Sequence, residues 1–474
     1  MTNSTQTGAR RYSRAFALSM AFILAFLAFA YAFAVYSVRF KDEPFRADSR
    51  DYYFLAGNLC YNQIFSADED DPEPTAYRPP LYPLLLSLIL KTFGYVDFPF
   101  AARILQFFFF ACSVFVLFLL CLEQFGARTA ILAALLHGFY FPLVFSAMQL
   151  TLEPLAVFLL SLFLFSLQKW TRNRNLLMAA LAGCLLGLAG LARPNVLILL
   201  PLSILWVILC AKDQHASILR QHQRTHTLRQ VVVFIVFVFV AIMPWTIRNY
   251  RALGGFCLIS TNGGSNFHIG HHPDFDPSLH SLKTDYGAFQ RLKDEGYSEI
   301  EADRQLYRKG LNYMLSHPLQ EIRRIPLKIR TMMTNYTPFL NPWLVWIFVI
   351  AFALFLYARR YSLLLFTGLL FVLFVAAKAW VSVPRSDALL LPATSFILLY
   401  PLAVFGIPFA AKKRCALILL LSVWFLILST GLLYIPMVRI RWSVDIIAAI
   451  LAARGIDGLI SITAPCLARK KGPP

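Results

Sequence analysis

The sequence predicts an all-α polytopic membrane protein. Of its 474 residues, 58% are hydrophobic and 43 are Phe. The mean hydropathy is +0.61, a level that soluble globular chains do not sustain. Apolar runs of about 20 residues, enough to cross the hydrocarbon of a bilayer, recur about twelve times. A third observation is the placement of the cations. A formal net charge of +19 would point to nucleic acid in a soluble chain, but here the Lys and Arg residues gather between alternate apolar runs, and no nucleic-acid partner is expected.

The amino end, residues 1–14, is basic and reads as a cytoplasmic tail. The run from Ala15 to Val38 is too long for the core of a signal peptide, and Val38-Arg39-Phe40 is a poor cleavage site, so this run is expected to stay as the first span. Further spans are expected near 99–122, 128–147, 154–168, 175–192, 194–211, 230–247, 339–357, 361–379, 386–409, 415–435 and 440–460. An even number brings the carboxyl tail, 461–474, back to the cytoplasm. Segments placed inside carry Arg10, Arg11, Arg14, Lys169, Arg172, Arg174, Arg359, Arg360, Lys412 and Lys413 among others, against only Glu123 and Asp213. That is the positive-inside pattern. Within a single membrane domain, 1–474, it leaves two large hydrophilic segments outside, 39–98 and 248–338.

In the first of these, Asp48 to Tyr61 carries Tyr52, Leu55, Ala56 and Leu59 at helical spacing. Pro80 to Phe93 is apolar but too short to cross comfortably, so a re-entrant or interface-lying helix is expected. Asp48 falls one step beyond the first span. Tyr77-Arg78-Pro79-Pro80-Leu81-Tyr82-Pro83 later holds a cation in a proline-fixed turn. An acid able to take a proton and a cation able to hold a phosphate thus return to one membrane surface.

In the second outer segment, Gly and Asn crowd 260–270, which predicts tight turns with backbone N–H groups turned toward a ligand. Residues 298–332 read as a solvated interfacial helix. His268, His271 and His272 have no recognised metal-ligand spacing and read as ordinary loop histidines. The eight Cys are scattered, with no CxxC. Cys60 and Cys257 both fall in outer segments, where a disulfide is conceivable.

These residues carry a resemblance. Asp48-Ser49, Tyr52, Ala56 and Asn58-Leu59, then Phe65-Ser66, then Ala76-Tyr77-Arg78-Pro79-Pro80 with Tyr82-Pro83, resemble the C-type (GT-C) membrane glycosyltransferases of the protein mannosyltransferase and aminoarabinose transferase kind. Leu188-Ala-Gly-Leu-Ala-Arg193-Pro194, Pro244-Trp-Thr-Ile-Arg248-Asn249-Tyr250 and Thr261-Asn262-Gly263-Gly264 look like later landmarks of that family. The likeness is close over about residues 15–275 and general beyond. It implies a GT-C fold and transfer of a sugar from a polyprenyl-phosphate donor to a hydroxyl of lipid, glycan or protein, at the outer face of the cell (inner) membrane. By resemblance, Asp48 takes the place of the catalytic base, Arg78 that of a basic residue near the donor phosphate, and Glu153 a second acidic position.

From the residues themselves, Asp51 rivals Asp48 as base, and an amino-terminal helix cap is the other reading of Asp48. Arg78, Arg193, Arg248 and Arg385 each lie at the outer end of an expected span or in its loop. There they either hold a leaving phosphate or snorkel to lipid head groups. Tyr52, Tyr77 and Tyr82, with Asn249, Asn262 and Gly263, complete the candidate pocket. Glu153 lies near membrane depth, where a charge needs a partner. No cofactor is indicated with certainty; a divalent cation is conceivable between Asp48 and Glu153. A twelve-helix transporter or lipid flippase is the main alternative, although in the common two-by-six transporter the long loop is cytoplasmic. An inactive accessory subunit of the same fold is a third reading.

Overall fold

The computed structural model describes residues 14–40, 48–68, 70, 72–213, 220–275, 287–334, 390–411, 414–434 and 445–470. Among these, every regular element is a helix. Helix α1, Arg14–Val35, ends in a π-helical turn, Tyr36–Phe40. Helix α2 spans Asp48–Tyr61 and buries Tyr52, Leu55 and Ala56, the face its spacing predicted. The long α3, Leu81–Phe125, breaks at Gly94 (φ 68°, ψ 175°), a conformation that favours glycine. A short helix therefore precedes the break as expected, and the membrane-length part begins at residue 95 rather than 99.

The span predicted at 128–147 is broken. Helices α4, Ala127–Gly138, and α5, Phe141–Met148, meet at 46°. Phe139 and Tyr140 leave helical geometry, and Pro142 opens α5, where its missing N–H costs nothing. After α6, Glu153–Asn173, and α7, Leu176–Ala192, the chain turns at Arg193, held extended by Pro194. A 3₁₀ turn, Pro194–Ile198, then leads into α8, Leu199–Asp213. Helix α9, Arg220–Leu253, runs past the expected end of its span. The second large hydrophilic segment supplies α10, Gly263–Gly270; α11, Ala288–Asp294; α12, Glu299–Ser316; and α13, Pro318–Thr334. Then come α14, Leu390–Ala410; α15, Arg414–Leu433; and α16, Asp445–Lys470.

By length and composition, four helices among the described residues can cross a membrane, or five with the bent α4–α5 pair; α7 and parts of α8 and α15 are shorter apolar helices. The spans expected at 339–357 and 361–379 lie outside the described residues. One connected apolar core runs from α1 to α16. Helices pack closely where small residues meet, as lipid-embedded helices must without a hydrophobic force between them. A Cβ on Gly183 of α7 would stand 2.3 Å from the Phe234 carbonyl oxygen of α9, and one on Gly406 of α14 would stand 1.7 Å from that of Leu451 in α16.

Two sequence expectations change in this hydrophilic segment. The Gly/Asn-rich stretch is the helix α10 rather than a series of turns. Helix α13 is not solvated on its charged side: Glu321, Arg324 and Lys328 are buried while Leu319, Ile322 and Ile325 are exposed. Glu321 accepts from Arg324 Nη1 at 2.8 Å and pairs with His271 Nδ1 at 2.8 Å and Lys328 Nζ at 3.5 Å. The remaining donors reach the carbonyls of Pro273, Leu432 and Leu433. A buried ionic network of this kind holds only when fully paired, so His271 is a structural partner rather than a loose loop residue. Cys60 and Cys257 are free thiols.

Candidate active site

Helix α2 opens with Asp48 and Asp51 in its first turn, at the positive end of the helix dipole. Opposite stands Arg78, whose backbone is set by the two prolines that follow it. Its Nη2 donates to Asp48 Oδ1 at 2.9 Å and to Asp51 Oδ2 at 2.6 Å, and its Nε donates to Asp51 Oδ2 at 3.1 Å. These bonds leave Nη1 out. The guanidinium lies 5.8 Å from the Tyr52 ring centre and 5.5 Å from that of Tyr77, within cation–π range. Burial alone would lower the Arg78 pKa, but Asp48, Tyr52 and Asp51 outweigh it and raise it. The cation is therefore permanent. With about a fifth of the Arg78 and Asp48 side chains exposed, the pair is reachable.

Tyr52 stacks edge-on against Tyr82, with ring centres 5.1 Å apart. The Tyr82 hydroxyl is buried and has no hydrogen-bond partner among the described residues. Glu153, at the start of α6, is 2% exposed. The partner it needed is Arg193, whose Nη2 donates to Glu153 Oε1 at 3.2 Å, with Ser146 Oγ at 3.5 Å from Oε2. Two carboxylate–guanidinium groups thus result, Asp48/Asp51 with Arg78 and Glu153 with Arg193. The preceding Met148–Gln149 turn is held by Arg103 Nε on the Met148 carbonyl at 2.9 Å and Gln106 Nε2 on that of Gln149 at 2.6 Å. No group of three or more His, Cys, Asp or Glu side chains suited to a metal occurs among the described residues.

Other candidates are placed differently. Arg248 donates to the Thr75 carbonyl at 2.6 Å and lies between Trp245 and Phe65, at 4.8 and 5.5 Å from their ring centres. Asn249 is fully buried, with its amide nitrogen 3.2 Å from both the Cys257 and Ile259 carbonyls. Asn249 thus anchors the loop after α9, whereas half-buried Arg248 holds the Thr75 peptide that leads into Arg78. Asn262 accepts from Ser260, and Gly263 packs under Tyr307, where a Cβ would come 2.2 Å from the hydroxyl. The Gly264 N–H is directed at Asp303 Oδ1 at 2.6 Å, so a protein carboxylate takes the place the sequence suggested for a ligand. Burial pushes the Asp303 pKa up to about 7 despite that bond, with Glu299 adding to the shift. Arg385 lies outside the described residues.

Glu299 is the residue that sequence reasoning missed. It is buried and accepts from Thr75 Oγ1 and the Ala76 N–H at 2.7 Å each, and from Thr261 Oγ1 at 2.5 Å. Its one visible signal was the neighbouring capping box, Ser298 with Glu301, which marks where α12 begins.

The helical bundle, with α3 broken at Gly94 after α2, has the GT-C fold, as the similarity to solved structures shows. Over residues 77–245 the chain matches the family model of dolichyl-phosphate-mannose-protein mannosyltransferases. It is similar to the oligosaccharyltransferase of Archaeoglobus fulgidus in its apo form, at 15% identity and a TM-score of 0.52, over 97% of this chain and 52% of that one. The same enzyme bound to an inhibitory peptide and a dolichol-phosphate gives 15% identity and 0.50 over the same shares. The chain thus spans about half the length of that relative, and at this identity the likeness is one of fold. ArnT of Cupriavidus metallidurans bound to undecaprenyl phosphate aligns at 14% identity with a TM-score of 0.39, over 97% of this chain and 81% of that one. No curated protein sequence matches the chain.

Proposed function

We propose that the chain is a membrane glycosyltransferase that moves a sugar from a polyprenyl-phosphate donor to a hydroxyl acceptor at the outer face of the cell membrane. The observation that supports this most is the hydrogen-bonded contact of Arg78 with Asp48 and Asp51. A carboxylate and a guanidinium in contact at a partly exposed position support the reading of a base beside a phosphate-binding cation. In the reaction, the acceptor oxygen attacks the anomeric carbon as its proton passes to Asp48. The carbon–oxygen bond to the carrier breaks, and the polyprenyl phosphate leaves with the electron pair. Arg78 stabilises the charge that develops there, with Nη1 as the donor its carboxylate bonds leave out. The proton on Asp48 then passes to water or to the departing phosphate. General-base help of this kind is worth about 10² to 10⁴-fold in rate. Glu153, held by Arg193, orients the acceptor.

Single displacement of this kind inverts the anomeric centre. Mass spectrometry of lipid-linked sugars and surface glycans, comparing a deletion strain with one expressing the chain, tests the reading. The deletion is expected to lose one sugar from an envelope glycan or lipid and to accumulate the matching polyprenyl-phosphate sugar. Identical profiles in both strains would overturn it.

A further inference from the structure

We propose that Glu299 is a positioning residue that sets Arg78 for the donor phosphate, an inference that rests on the phosphate reading of Arg78. The peptide from Thr75 to Tyr77 leads directly into Arg78. It is fixed from three sides. Thr75 N–H donates to the Phe65 carbonyl at 2.9 Å, and the Thr75 carbonyl accepts from Arg248 at 2.6 Å. The Ala76 carbonyl accepts from Thr261 N–H at 3.0 Å. Glu299 closes the arrangement, since one carboxylate takes the Thr75 hydroxyl, the Ala76 N–H and the Thr261 hydroxyl. The Thr75 hydroxyl in turn accepts from Tyr77 N–H at 2.9 Å.

Tyr77 is held beyond this by the Phe289 ring, 4.7 Å away between centres, and it flanks the Arg78 guanidinium. Glu299 is the residue through which α12, more than 200 positions later in the chain, determines where the guanidinium stands. An acceptor bonded by three donors needs a carboxylate, or at least the carbonyl of an amide. Ala76 is fully buried, so its N–H has no water to turn to if Glu299 is removed.

The test uses the full-length protein in detergent micelles with undecaprenyl phosphate as the probe. Glu299→Ala is expected to weaken binding about tenfold and to speed amide exchange in the peptide 72–80. Glu299→Gln keeps an oxygen for Ala76 and Thr261 and is expected to recover most of the affinity. The double variant of Glu299→Ala with Arg78→Ala is expected to bind no worse than Arg78→Ala alone. Multiplying effects in the double variant, or unchanged exchange in 72–80, would overturn the proposal. Should Glu299→Ala not fold, Thr261→Val removes one bond of the same clamp, and the same comparison with Arg78→Ala applies. If exchange rises while Arg78→Ala leaves probe affinity unchanged, the phosphate role of Arg78 fails and the clamp stands without its function.

Discussion

Asp48 and Asp51 lie one helical turn apart, yet Arg78 treats them unequally. Asp51 receives two of its bonds, from Nε and Nη2, while Asp48 shares one nitrogen. That asymmetry supports Asp51 as the anchor of the fork and Asp48 as the group that exchanges protons. A lysine brings a point charge in place of a planar fork. Arg78→Lys is therefore expected to lower transfer roughly tenfold or more while the thermal midpoint changes little, as measured by sugar transfer in membranes at matched protein levels.

Asp303 gives a pH prediction. Its folded pKa is raised to about 7 by burial, above the unfolded value of about 3.9. The folded state therefore holds an extra proton between the two values, and stability falls as pH rises through that window, becoming level above it. The thermal midpoint in detergent is expected to drop from pH 4 to 7, and Asp303→Asn is expected to flatten the profile. A profile in the wild type that rises with pH would contradict this.

At the scale of elements, charge and small residues decide the packing. Burial would raise the Glu321 pKa, but His271, Lys328 and Arg324 hold it at about 2. Its folded value lies below the unfolded one, so its contribution is present above about pH 4 and is lost as pH falls toward 2. Glu321→Ala leaves Lys328 and Arg324 buried without their counter-charge and is expected to cost about 3 kcal/mol. Limited proteolysis within α13 would reveal it. Gly406→Leu is expected to separate α14 from α16, because its Cβ alone would overlap the Leu451 carbonyl; a lost or broadened thermal transition in detergent would show it. Elements with strong local signals were readable from sequence: α2 by its spacing, α6 and the turn at Arg193 by their prolines. The interior break between α4 and α5 was not read from Gly138 and Pro142, because both residues are tolerated inside membrane-spanning helices and the length of the run suggested one span. Alternating charges on α13 looked solvated, as those on most of α12 are, since a sequence does not show which face of a helix its neighbours cover.

For the whole molecule, what was legible was the bundle and the meeting of α2 with the proline turn. Both depend on residues close in sequence and on composition. What was not legible came from contacts across the chain. Glu299 reaches Thr75 and Ala76 over more than 200 residues, Arg193 pairs with Glu153, and the hydroxyls of Tyr140 and Tyr400 converge on the buried Asp445. Asn249 falls in the right region by motif, yet the fold uses it to hold the loop after α9, while Arg248 reaches the peptide before Arg78. A pattern fixes neighbourhood; which side chain faces an opening is fixed only by packing.

The account depends on Asp48 as the base beside Arg78. The most direct test expresses the wild type and Asp48→Asn at equal levels in the deletion strain and measures transferred sugar by mass spectrometry, with undecaprenyl phosphate binding of both purified proteins in parallel. Asp48→Asn is predicted to bind within about twofold of wild type and to transfer about 10² to 10⁴-fold less. Transfer by Asp48→Asn at the wild-type rate would contradict it.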